Sequence, residues 1–154
     1  MLDNNDVVAI LNELIETSRD GEEGFRTAAE NVEDARLKDF FMRRSQEVGE
    51  SVHALQTMVR TLGGVPAEAT SIGGTLHRRW MEIKTALTLN DTLAVLNETE
   101  AGESVAVAAY ETALELELPI DIRTVLVRQL EGAKRNYSLV KQLRYVYDAE
   151  AALH

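Results

Sequence analysis

The sequence predicts an all-α fold, an antiparallel four-helix bundle with one long crossover connection, occupying residues 1–154 as a single domain. Three observations carry this prediction. Four segments repeat apolar residues at alternating steps of three and four, the spacing of a helix with one buried face. No segment alternates with a period of two, so strands are not expected. The punctuation between the segments is short, long and short again.

The first stripe runs Leu11, Ile15, Ser18, Glu22, Phe25, Ala29, Val32, and the second Phe41, Ser45, Val48, Val52, Leu55, Val59, Leu62. Only Glu33-Asp34-Ala35-Arg36 separates them, and Asp34 suits an N-cap, so the two helices should form a hairpin. The third stripe is Leu93, Leu96, Glu100, Glu103, Val107, Tyr110, Leu114. The fourth is Ile122, Leu126, Gln129, Ala133, Asn136, Val140, Leu143, Tyr147. Between them Leu118-Pro119-Ile120-Asp121 turns the chain, because proline cannot continue a helix but starts one well.

Gly63-Gly64-Val65-Pro66 ends the second helix, and Gly73-Gly74 follows after a loop. Leu76, Trp80, Ile83 and Leu87 then mark a short amphipathic helix, with Asn90 as the expected cap of the next long one. A connection of this length can travel the length of a bundle, which makes the expected arrangement ferritin-like rather than up-down-up-down. Gly21 and Gly24 inside the first stripe admit a break after Asp20; the preferred reading is a continuous helix with a kink or a close helix approach.

Composition narrows the functional classes. With 45% apolar and 27% charged residues the chain is globular rather than disordered. A formal charge of -10 disfavours phosphate-rich partners, so neither nucleic acid nor an anionic membrane is expected. The absence of cysteine excludes disulfides, thiolate chemistry and iron–sulfur clusters. Met1-Leu2-Asp3-Asn4-Asn5-Asp6 has neither the basic start nor the apolar run of a signal peptide, and the expected location is the cytoplasm.

The halves resemble each other. Glu50 through Leu62 aligns with Glu131 through Leu143, and Gly21-Glu22 with Gly102-Glu103 at the same spacing. A duplicated hairpin is the preferred explanation, and it would gather matched carboxylates around one central point.

Such bundles can hold two metal ions with carboxylates from two helices and Glu-x-x-His motifs from two others. Glu50 and His53 form one such motif, but its repeat partner is Glu131 to Lys134, and protonated lysine cannot ligate. At about 100° per residue, Glu50 and His53 stand roughly 200° and 100° from Val52 of the apolar stripe, which places both on the surface. The acids in phase with the stripes are Glu22, Glu100 and Glu103. Two readings of them stay open. The preferred one is a polar core layer with Ser18, Ser45, Gln129, Asn136 and Tyr137 supplying donors. The other is a carboxylate-rich site for iron or manganese, with the Glu50–His53 pair as its alternative. His77 and His154 add no ligand pattern.

One ordered series spans nearly the whole chain: Leu14-Ile15-Glu16, Asp20-Gly21, Gly24-Phe25, Ala28-Ala29-Glu30, Leu62-Gly63-Gly64-Val65-Pro66, His77-Arg78-Arg79-Trp80, Glu100-Ala101-Gly102-Glu103, and Tyr110 through Ala113-Leu114 to Leu118-Pro119. It resembles a bacterial family of small ferritin-like four-helix-bundle proteins catalogued as a domain of unknown function. The resemblance implies the ferritin-like fold and no assigned reaction. The wider ferritin-like group binds two irons and uses oxygen or peroxide. Here the second and fourth helices lack the histidines, and Tyr137 stands near where the smaller family's last helix would carry one. The leading expectation is therefore a non-catalytic or vestigial bundle without a cofactor, working through association with itself (as a homodimer) or a partner, in a stress-related setting. The rival is a di-iron-type oxidase or peroxidase built on Glu22, Glu100 and Glu103.

Overall fold

The computed structural model describes residues 2–68, 75–89 and 91–153, with the side chains of Thr75, Leu76, His77 and Arg79 left out of the description. All regular structure among the described residues is helical: α1 Asn4–Asn31, α2 Ala35–Thr61, α3 Thr75–Thr88, α4 Thr92–Leu114 and α5 Ile120–Ala152. No helix among them is long and apolar enough to cross a membrane.

Local chemistry sets the helix ends. Asp3 and Asp6 form a reciprocal capping box at the start of α1. Asp34 accepts from the amides of Arg36 and Leu37 and so begins α2. Its carboxyl also accepts from the Tyr147 hydroxyl of α5; that bond first, and Arg36 second, hold its pKa down to about 2. At the far end of α2, Gly63 takes a φ of 83°, and the amides of Gly63 and Gly64 bond back to Arg60 and Val59. This left-handed C-terminal cap requires a residue without a Cβ. The cap of α4 is Asp91, whose side chain accepts from Ala94, rather than the expected Asn90. A carboxylate one residue later reaches the free amides equally well, and Asn90, like Gly73-Gly74 and His154, lies outside the described residues. Helix α5 starts directly after Pro119, and Arg123 donates to the Leu114 and Leu116 carbonyls left open where α4 ends.

The helices pair as two antiparallel hairpins. Going up α1, Glu22, Phe25 and Ala29 meet Ser45, Phe41 and Lys38 in descending order. Along α4, Glu100, Tyr110 and Leu114 meet Arg144, Gln129 and Arg123 in the same sense. The apolar interior forms two clusters at opposite ends. Val7, Leu11, Leu55, Val59, Ile122 and Leu126 belong to one, and Phe25, Phe41, Trp80, Ile83, Leu96 and Val140 to the other. Helix α2 ends at the first cluster, while α4 begins at the second beside Val95. The chain between them therefore crosses the length of the fold. Asn12 ties the start of this crossing to α1, donating to the Val65 carbonyl and accepting from the Ala67 amide.

Helix α3 lies on the crossing and packs against both α1 and α4. Its anchor is Trp80, 6% exposed, standing edge-on to Phe25 with ring centroids 4.8 Å apart. The indole rests on the backbone of α1: a Cβ at Gly24 would stand 2.1 Å from the indole ring. Helix α1 runs unbroken through Asp20 and Gly21, and Gly24 serves a close approach rather than a break. Gly24→Ala is expected to displace the indole and cost about 1–3 kcal/mol. The emission of Trp80, the single tryptophan, should shift to the red along with a lowered denaturation midpoint.

Candidate functional site: a buried guanidinium–carboxylate pair

Along α1, α4 and α5 a polar stretch interrupts the stripe between the two apolar clusters. It contains the buried residues Ser18, Asp20, Thr99, Glu103 and Asn136, joined from α2 by Arg44 and Ser45. At its centre the Arg44 guanidinium holds both carboxylate oxygens of Glu103, with Nε and Nη2 donating to Oε1 at 3.3 and 3.2 Å and Nη2 to Oε2 at 3.1 Å. Both partners are more than nine-tenths buried. The planar fork matches a carboxylate as no ammonium could. The third guanidinium nitrogen, Nη1, reaches Glu47 Oε2 at 3.4 Å, and the group lies over the face of Phe25 at 5.9 Å.

Burial dominates the electrostatics of Glu103 and pushes its carboxyl from 4.5 up to about 7. The Arg44 charge and hydrogen bonds oppose that rise, as does the Asn136 amide turned toward the carboxyl. Beside the pair, the Tyr110 hydroxyl donates to Gln129 Oε1 at 2.8 Å and lies 3.4 Å from Ser18 Oγ, while Gln129 Nε2 donates to the Ser51 carbonyl. Burial raises the Tyr110 pKa as well. A cavity of about 20 Å³ among Ser18, Arg44, Trp80, Glu103, Tyr110 and Gln129 is the size of a single water. The arrangement is a polar plug joining α1, α2, α4 and α5. The Glu103 carboxylate within it is occupied by a guanidinium on both oxygens.

The three in-phase acids do not meet. Glu22 is half-buried, its carboxylate laid against α2 where a Cβ at Gly49 would stand 2.3 Å away. Glu100 pairs with Arg144 across the α4–α5 hairpin. Among the described residues no hydrogen bond or ion pair joins either of them to Glu103, and no three histidine, aspartate or glutamate side chains converge as a ligand group. Glu50 and His53 are both exposed. Of the expected donors, Ser18 and Gln129 serve Tyr110, Ser45 bonds the backbone carbonyl of Glu22, and Tyr137 is half-buried. Asn136 is the expected donor that acts on the Glu103 carboxylate.

The expected face of the third stripe is rotated. Val95, Thr99, Gly102 and Ala113 are buried with Leu96, Glu103 and Tyr110, whereas Leu93, Glu100, Val107 and Leu114 are half-buried. Helix α4 is covered by α5 on one side and by α3 and α1 on another, so its buried arc is wider than a single stripe. The residue that sequence reasoning missed is Arg44. Its signal was present, since it follows Phe41 by three and precedes Val48 by four on the same face.

These residues sit in a recognised sequence unit. The chain belongs to the family described as a domain of unknown function (DUF2383). The DUF2383 model matches residues 6–116, which takes in α1 through α4 and both Arg44 and Glu103, while α5 lies beyond it. No curated protein matches the chain.

A carboxyl whose folded pKa exceeds its unfolded one binds its proton more tightly in the folded state. Its stabilising contribution is full below about 4.5 and is lost as pH rises through about 7. Denaturation midpoints of the wild type and Glu103→Gln, compared from about pH 5 to about pH 8, should therefore diverge. The wild type should lose stability relative to the variant as pH rises; parallel curves would mean that Glu103 titrates normally.

Proposed function

We propose that this member of DUF2383 is a ferritin-like four-helix bundle in which a side-chain cation stands where related bundles hold metal. On this reading it works by association rather than by catalysis. The two antiparallel hairpins and the lengthwise crossover support the ferritin-like reading. A duplicated hairpin is supported by like burial at matched positions: Phe41 and Ile122, Val52 and Ala133, Val59 and Val140 inside, Glu50 and Glu131 outside.

The observation that carries the functional reading is the two-pronged grip of Arg44 on Glu103. A buried carboxylate needs a counter-charge. In a metal-binding bundle divalent ions supply it, and ligands must be free to turn toward them. Here the counter-charge is covalently part of α2, and displacing it would leave a buried guanidinium behind. Glu22, laid against α2 at Gly49, and Glu100, paired with Arg144, would also have to move. A cytoplasmic homodimer fits the surface chemistry, because Tyr145, Val146 and Leu153 leave the last turns of α5 with exposed apolar groups.

The test is elemental analysis together with sedimentation, on protein purified from iron- and manganese-supplemented cells. The expected result is a dimer with neither metal in stoichiometric amount and no oxygen consumption when ferrous iron is added. Stoichiometric metal that disappears in Glu103→Ala would contradict the counter-ion reading, and a monomer at high concentration would contradict the association.

A further inference from the structure

We propose that the groove between α2 and α5 binds a small oxyanion, a carboxylate or phosphate group carrying an apolar substituent. The groove has a volume of about 170 Å³, and its lining includes Phe40, Arg43, Arg44, Arg135, Asn136 and Leu139. Three guanidinium groups thus face one depression on a chain whose acids outnumber its bases 26 to 16. Against that background a local excess of positive charge attracts anions to one place.

The geometry is more specific than the count. A Cβ at Gly132 would lie 3.7 Å from Arg135 Nη2 and 4.0 Å from Arg44 Nη1, with no other neighbour within 4 Å. Two guanidinium groups therefore come together at one point of the groove wall, beside the α5 backbone at Gly132. Glu103 cannot neutralise that point, because it engages the Nε and Nη2 edge of Arg44. Glu47, the one acid in the lining, meets Nη1 only at 3.4 Å and is half exposed. Arg43 and Arg135 form no ion pair among the described residues. An oxyanion in the groove beside these side chains would take charge-assisted hydrogen bonds from their guanidinium groups. The buried Asn136 amide, turned toward Glu103, closes the same lining from within. Phe40 and Leu139 form apolar walls suited to the substituent.

Gly132 offers a test of the assignment. Glycine weakens a helix interior relative to alanine. At Gly24 and Gly49 the room so created is filled by Trp80 and by the Glu22 carboxylate. At Gly132 the nearest side-chain atoms are those of Arg135 and Arg44 at ordinary contact distance, so an added methyl would stand against both guanidinium groups on the groove wall. The inference stands apart from the metal question, since it concerns the outer edge of Arg44.

The test is calorimetric titration of the full chain at low ionic strength with phenyl phosphate, benzoate and inorganic phosphate. Phenyl phosphate or benzoate should bind once per chain and more tightly than inorganic phosphate, and the tighter of the two names the anionic group. Binding should weaken with added salt and fall about tenfold or more in Arg43→Ala/Arg135→Ala, whose changes lie on exposed positions. Gly132→Ala should raise the denaturation midpoint yet weaken binding, which a purely structural role would not produce. The proposal is overturned if none of the three probes binds, or if binding is unchanged in either variant.

Discussion

A carboxylate placed in the dry middle of a helical interior must be neutralised, and the rest of this structure is arranged around how that is done. Glu103 lies on α4 and Arg44 on α2, in different hairpins. Their pairing is a long-range contact that fixes the depth at which the two hairpins meet. The two apolar clusters then pack on either side of the layer that holds this pair. A buried ion pair contributes little to stability compared with an apolar replacement of the same shape, but it penalises every arrangement in which the two charges fail to meet. For a fold made from two similar hairpins, with many near-equivalent ways of sliding one against the other, we infer that this penalty selects the register.

The crossover meets the same layer from the other side. Trp80 lines the small cavity that also contains Arg44 and Glu103, and Phe25 contacts both the indole edge and the guanidinium face. The seat for the indole exists only because Gly24 has no side chain. Docking of α3, closure of the aromatic cluster and shielding of the ion pair are thus one packing event. Water admitted by an undocked α3 would reach the pair and weaken it.

Much of this was legible in the sequence. The long helices, the Asp34 cap, the glycine stop after α2, the proline start of α5 and the crossover all follow from periodicity and turn chemistry, which are local properties of the chain. The polar layer was legible too, in the serine, glutamate and asparagine residues interrupting otherwise apolar stripes. The partner of each acid was not. Whether Glu103 meets a hydroxyl, a metal or Arg44 depends on contacts between hairpins far apart in sequence, and arginine at a stripe edge reads as a solvated surface residue until the long side chain is seen to fold inward. Glu22 and Glu100 looked equivalent to Glu103 because helical phase resolves position only to within a residue's width. Helix α4, buried on two sides, shifts the true face by enough to leave Glu100 at its edge. Gly24 signalled a close approach, but not that a tryptophan of the crossover would be what approached.

The most direct measurement is a double-mutant cycle on the central pair, using Arg44→Met, Glu103→Leu and the combined variant in equilibrium denaturation. Each single change should cost about 3–5 kcal/mol, because it strands a buried charge. The combined variant should be more stable than either single one. Additive losses, with the double variant the least stable of the three, would show that the two side chains act independently and that the interior is not organised by their pairing.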